Sequence, residues 1–403
     1  MKKSLVLVLI VLLAASAFGQ ISFGAWGRGV LAIGSMTETK DDGSVSASVG
    51  IRDTKSWGGN GSRIGYNMYG KSDNVGYQLA FDNDGTSHTL ALANIWVKPV
   101  DMVKLTIGSY NNHTLRGNAE FGSWNWLRIA PGNLSGQYSW GVNNRWGNDS
   151  IGEDLTFARN CARDGGFLVE VTPMEELYVF AAPLSGPDGG ALQSVPSGSM
   201  QSGALLSEAL SAGQYGFGYT IAGIGQVKAQ FIGVNEDADA YINAAFKLTA
   251  VQGLMAEVGV FVPTDTKQIL SDVEDATQIA AYAKYTGVEN MTLHVAGVFY
   301  MFDEYDDANV WEGAVGLDYR INDQLMLNSD VRLYSEDRNM HANADGDAYM
   351  GWAASANVSK GLAAGKVGIG LEITNVGFAA DNMGGEEGGD FLFAIPLILE
   401  YSF

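Results

Sequence analysis

The chain has 403 residues, a formal charge of −21, 17% charged residues, 52 Gly and only 8 Pro. The acidic balance excludes nucleic acid or anionic lipid as a partner held by overall charge, and the lone cysteine, Cys161, excludes an internal disulfide. Apolar residues make up 46% of the chain, yet only the N-terminus holds a long apolar run, so a membrane-embedded mature chain has to cross as a closed barrel of strands.

That N-terminal run has the three parts of a secretory signal peptide. Lys2 and Lys3 form its charged start, Leu5 to Leu13 its apolar middle, and Ala17 and Gly19 put small residues at the cleavage positions. The prediction is a cleaved segment over residues 1–19 and a single domain over 20–403. Without Lys2 and Lys3, 22 basic residues stand against 45 acidic ones, and the mature charge is −23.

From Ile21 onward the dominant pattern is alternation of apolar and polar residues, the period of a strand with two unlike faces. The first strand runs from Ile21 to Ser35, with Phe23, Ala25, Leu31 and Ile33 on one face and Trp26, Arg28 and Val30 on the other. Val45 to Ile51 alternates within a longer stretch and reads as a protruding hairpin. Arg63 to Gly70 and Val75 to Asp82 follow as a pair about the turn Lys71-Ser72-Asp73-Asn74. His88 to Lys98 and Met102 to Tyr110 flank Pro99-Val100-Asp101, a turn suited to a residue that cannot donate to a ladder. After a long connection, residues 111–165, Gly166 to Val171 and a strand ending at Ala182 form the next pair. A second long connection covers residues 183–213, with one or two helical turns expected over Gly203 to Leu210. From Tyr215 onward the alternation is regular, through sets such as Val227/Ala229/Phe231, Ile279/Ala281/Ala283/Tyr285 and Val367/Ile369/Leu371/Ile373.

Short turns centre on Asp73, Val100, Met174, Gly223, Gln252, Val288, Asn322 and Leu362, and mostly longer connections alternate with them. This asymmetry predicts an all-β fold, a transmembrane antiparallel up-and-down β-barrel with both termini at the short-turn end. The count is about 18 strands. Sixteen or twenty stay open, because Val45 to Ile51 and Leu155 to Cys161 are ambiguous.

The last strand is the most explicit. Phe391, Phe393, Ile395, Leu397, Leu399, Tyr401 and Phe403 make an unbroken apolar face, and Glu400 lies on the other. This ending resembles the closing strand of bacterial outer-membrane β-barrels. The stretch Ile95 to Gly108 (IWVKPVDMVKLTIG), followed by Thr114-Leu115-Arg116-Gly117, resembles porin-like barrel proteins of spirochaetes. The resemblance implies an outer-membrane address, outer-membrane lipid as a partner and, by analogy with porins, a homotrimer. It implies no particular solute.

An 18-strand barrel is too wide for its own side chains to fill. In porins a loop after an early strand pair narrows the pore, and residues 111–165 occupy a comparable place. Trp124, Trp126, Trp140 and Trp146 there could stack on ring solutes, and Arg116, Arg128 and Arg145 could hold anionic or polar ones. The competing reading is that the arginines pair with Glu120, Asp149, Glu153, Asp154 and Asp164.

The interior wall is expected to carry the bases Arg28, Arg63, Lys98, Lys104, Lys228, Lys247, Lys284, Arg320, Arg332 and Lys366. The acids expected beside them are Asp82, Glu170, Glu257, Glu312, Asp318, Asp330, Glu372 and Glu400. Surplus acid falls in the connections, at Glu236-Asp237, Glu274-Asp275, Asp303-Glu304, Asp306-Asp307, Glu336-Asp337 and Glu386-Glu387. An acidic mouth would enrich cations.

Catalysis and cofactors find no support. The histidines His88, His113, His294 and His341 lack metal-ligand spacing, and Gly58-Gly59-Asn60-Gly61 does not join a strand to a helix. The expectation is a non-enzymatic channel for small hydrophilic solutes and ions. A sugar-selective channel and a non-conducting structural or adhesive surface protein are the alternatives.

Overall fold

The computed structural model describes residues 20–38, 43–53, 62–83, 88–108, 167–182, 214–232, 241–263, 277–301, 310–335, 350–375 and 391–402. Nineteen strands lie in them: β1 (Gln20–Glu38), β2 (Val45–Asp53), β3 (Ser62–Lys71), β4 (Val75–Asn83), β5 (His88–Val100), β6 (Val103–Gly108), β7 (Phe167–Met174), β8 (Leu177–Ala182), β9 (Gln214–Ile221) and β10 (Gly225–Ile232). They continue with β11 (Tyr241–Leu248), β12 (Leu254–Pro263), β13 (Thr277–Val288), β14 (Met291–Met301), β15 (Val310–Arg320), β16 (Leu325–Tyr334), β17 (Gly351–Leu362), β18 (Gly365–Thr374) and β19 (Phe391–Ser402). All belong to one sheet. From β3 to β19 each strand pairs antiparallel with the next, and β19 pairs with β1 from Trp26↔Ser402 to Glu38↔Phe391. The sheet therefore closes on itself, as the two-faced strands and short turns predict.

The second stave of the barrel is made of two strands. β3 pairs with β1 from Gln20↔Lys71 to Gly29↔Ser62, and β2 takes over the same edge from Leu31↔Asp53 to Glu38↔Val45. The expected hairpin at Val45 to Ile51 is therefore the upper half of a stave interrupted by residues 54–61. Nineteen strands make eighteen staves, the even number that brings the start of β1 and the end of β19 to one rim.

The ladder is staggered. A line across it from Gln20, the first residue of β1, passes through Lys71, Gly76, Trp96 and Thr106 to Leu168, near the far end of β7. Strands that climb in this way are tilted, as closure into a barrel requires. The short connections close with turn chemistry readable in the sequence. Gly223 and Gly253 adopt φ of 72° and 76°, where a side chain would be strained. The carboxamide oxygen of Asn322 accepts from the backbone N–H groups of Gln324 and Leu325, both at 2.9 Å.

Aromatic rings cover glycines on the strands nearest the seam. A Cβ on Gly27 would strike Tyr401, and one on Gly70 would strike Tyr77. On the opposite face, Trp26 lies over Gly65 and Trp96 over Gly76. Glycine weakens a strand by exposing backbone, and a neighbouring ring laid over it restores the contact.

The signal peptide, Cys161, the ambiguous Leu155 to Cys161 and the helical turns expected over Gly203 to Leu210 lie outside the described residues. No helix among the described residues is long and apolar enough to cross a membrane, which says nothing of strands.

Candidate functional site

The two faces of the wall have opposite chemistry. Phe23, Ile95, Ile107, Val315 and Leu399 are exposed, and the residues alternating with them are polar, small or covered. The exposed apolar face runs over almost every strand, far more than a water-soluble monomer presents. A closed barrel that is apolar outside and polar inside is the arrangement a lipid-embedded barrel requires.

Charged residues of the inner face meet in pairs. On β6 and β7 the ammonium of Lys104 lies 2.7 Å from Glu170, whose other oxygen accepts from the Tyr178 hydroxyl at 3.0 Å. Lys228 on β10 reaches over β11 to Glu257 on β12 at 3.2 Å, with both side chains buried. Lys366 and Glu400 meet at 2.8 Å on β18 and β19, close to the short-turn rim and partly exposed. Asp330 and Arg332 share one face of β16 at i and i+2, and the guanidinium donates to both carboxylate oxygens at 3.1 and 3.2 Å. Pairing of this kind is what allows charge to persist in a covered place.

Between β13 and β16 the pairing extends into a chain. The Tyr282 hydroxyl lies 3.1 Å from His294 Nδ1, His294 Nε2 lies 2.9 Å from Asp318, and Asn328 donates to the second Asp318 oxygen at 2.6 Å. A carboxylate only accepts, so Nε2 carries the proton. In the neutral ring Nδ1 then accepts from Tyr282. Nothing in the local sequence marks His294. Its role comes from the registers Lys284↔His294 and Thr292↔Asp318, which bring three strands into line.

Burial deepens away from the short-turn rim. Asn357, Glu372, Thr374, Ala394 and Ile398, all on the inner face of β17 to β19, have no exposed surface. On β7 to β11 the inner residues Leu168, Phe180, Ala182 and Ala245 form a small apolar cluster. Yet the substantial strand contacts all run between ladder neighbours.

The arc of β1 and β3 to β5 differs. Its inner face carries Trp26, Asn67, Tyr69, Gln78, Asn94 and Trp96 among its described side chains, together with Lys98 at the short-turn end of β5. The rings and amides are half-buried except Tyr69, which is 36% exposed. Register joins Tyr69 to Gln78 and Gln78 to Asn94 in one row.

Of the wall residues expected from sequence, Lys228, Asp330 and Arg332 are buried on the inner face, and Lys247, Lys284 and Asp318 are half-buried there. Arg320 is exposed beside the turn after β15. Arg28 and Glu312 fall on strands, but their side chains lie outside the description. Arg116, Trp124, Trp126, Arg128, Trp140, Arg145 and Trp146 lie outside the described residues altogether. Among the described residues no group of three or more His, Cys, Asp or Glu is placed to hold a metal ion.

No protein-family model matches the chain, and no curated protein matches it. Solved structures do. A triply substituted porin of Rhodopseudomonas blastica is 11% identical, over 95% of this chain and 100% of that one, with a TM-score of 0.46. Another variant of the Rh. blastica porin is 12% identical over the same shares, with a TM-score of 0.46. A structure described as "Asymmetric conductivity of engineered proteins" is 13% identical over the same shares, with a TM-score of 0.43. These are likenesses of chain path at low identity, and the fold assignment rests on the ladder registers above.

Proposed function

We propose that the chain is an outer-membrane channel for passive diffusion of small hydrophilic solutes and ions, exported by a cleaved signal peptide over residues 1–19. The observation that carries this reading is the pair of faces: apolar and exposed outside, polar and mutually ion-paired inside. A wall built so is compatible with lipid on one side and water on the other. The barrel is the single domain over residues 20–403. Residues 111–165 narrow its lumen, with Arg116, Trp124, Trp126, Arg128, Trp140, Arg145 and Trp146 as the solute-contacting set, and residues 183–213 fold inward or cap the surface. Size and charge rings set selectivity. The balanced wall leaves the acidic connections to favour cations at the mouth. The role is non-enzymatic, and assembly as a homotrimer belongs to the same reading.

A second reading, a non-conducting surface protein with a filled lumen, draws support from the inner residues of β17 to β19 that have no exposed surface. Planar-bilayer recording of the folded chain separates the two. An open, cation-preferring conductance that rises when residues 123–145 are deleted supports the channel and its constriction. A conductance that the deletion leaves unchanged removes residues 111–165 from the argument. Absence of any conductance from protein of native fold overturns the channel.

A further inference from the structure

We propose that the inner wall of β1, β3, β4 and β5 carries a binding strip for neutral ring sugars, with Trp26, Tyr69 and Trp96 as its stacking faces. The proposal rests on the open-lumen reading above and adds the class of solute.

Two of the three rings are held in place by glycine. A Cβ on Gly65 would fall within the Trp26 indole, and one on Gly76 within the Trp96 indole. Each indole therefore packs on the backbone of a neighbouring strand. A ring packed in this way has little side-chain entropy left to lose on binding. Tyr69 stands between them and is the most exposed.

The three surfaces follow one another along the wall. From Gly65, under Trp26, to Tyr69 is four residues of β3, roughly 13 Å at strand rise. Tyr69 faces Gln78, and Gly76, under Trp96, is two residues further along β4, roughly another 7 Å. The strip thus runs about 20 Å along the strands, long enough for several linked rings.

Between the rings stand amides. Asn67 shares the inner face of β3 with Tyr69, and Gln78 and Asn94 follow Tyr69 across the ladder. A carboxamide both donates and accepts, which matches hydroxyl groups at the edge of a sugar ring better than a purely donating or accepting charge does. The six side chains carry no charge themselves, while Lys98, two residues from Trp96 on β5, and Arg28, Arg63 and Asp82 fall on the same face of these strands by alternation. Apolar planes with amides between them suit a ligand with an apolar C–H face and a hydroxyl rim. Elsewhere the inner wall holds ion pairs such as Lys228 with Glu257 and Arg332 with Asp330.

Maltotriose is the probe, with sorbitol as a control that keeps the hydroxyls and lacks the ring face. Saturation-transfer NMR on the full chain folded in detergent reads binding without requiring conduction. Saturation should concentrate on the ring C–H protons of maltotriose and be absent from sorbitol. Tyr69→Ala should weaken binding roughly three- to tenfold, a loss typical of one aromatic contact. Trp96→Ala, monitored in parallel for native fold, should do the same. Wild-type saturation in both variants, or equal saturation of sorbitol, overturns the strip. Binding that persists in a chain without conductance supports the strip and sinks the open channel.

Discussion

The inner wall has two arcs of different character. From β10 to β18 it holds polar side chains that pair with one another: Lys228 with Glu257, His294 with Tyr282 and Asp318, Arg332 with Asp330. From β1 to β5 its described side chains include rings and amides that remain partly exposed. Both arcs obey the same strand alternation, so the difference lies in what each inward position carries. Charge that has been paired and covered holds the wall together. Uncharged rings and amides that keep part of their surface exposed are free of that structural duty only in part, and offer a surface a solute could touch.

The comparison can be broken most forcefully in the covered arc. Glu257→Ala leaves Lys228 without that carboxylate in a place where its side chain is only 1% exposed. Loss of one partner of such a pair should destabilise the barrel by about 3–5 kcal/mol, measured as denaturant unfolding followed by tryptophan fluorescence. Glu400→Ala makes the same cut at Lys366, close to the rim, where the two side chains are 37% and 27% exposed. Its cost should stay below about 1 kcal/mol. Equal costs would mean that the two pairs do not differ in solvation.

A smaller effect belongs to the open arc. Gly65→Val forces Trp26 off the neighbouring strand and should cost about 1–3 kcal/mol through overpacking, read from the same unfolding curve. The finest test sets two tyrosines against each other. Tyr282→Phe removes the hydroxyl facing His294 and should lower stability by about 1 kcal/mol while sugar binding is unchanged. Tyr69→Ala should leave stability within about 0.5 kcal/mol and weaken sugar binding. If each variant moved both readouts, the arcs would not be separate.

Much of the wall was legible in the sequence because its rules are local. Period-two alternation marked nearly every strand, and turn residues such as Asn322 and Gly223 marked the short rim. Even the ion-paired residues Lys104, Glu170, Lys228, Glu257, Lys366 and Glu400 were assigned to one face from alternation alone. What stayed hidden depends on register between strands. The link from Tyr282 through His294 to Asp318 joins three strands whose relative slide no single stretch encodes. The same is true of Trp26 over Gly65 and Trp96 over Gly76, where ring and glycine are far apart in the chain. Val45 to Ile51 alternates as any strand does, and only its pairing with the upper half of β1 makes it part of the second stave. The tryptophans in residues 111–165 stand out by their density, whereas Trp26 and Trp96 on the inner wall of β1 and β5 each sit alone among small or apolar neighbours.

The seam between β1 and β19 joins the first strand to the last, Glu38 to Phe391. No intermediate length of this chain can make a smaller version of the finished object. Until the final strand is available, the growing sheet has two raw edges and an apolar face with nothing to cover it, the state in which sheets pair with the wrong neighbours. Closure is therefore all or nothing, and a cell making this protein has to hold the open ribbon apart from its copies until its two ends can meet.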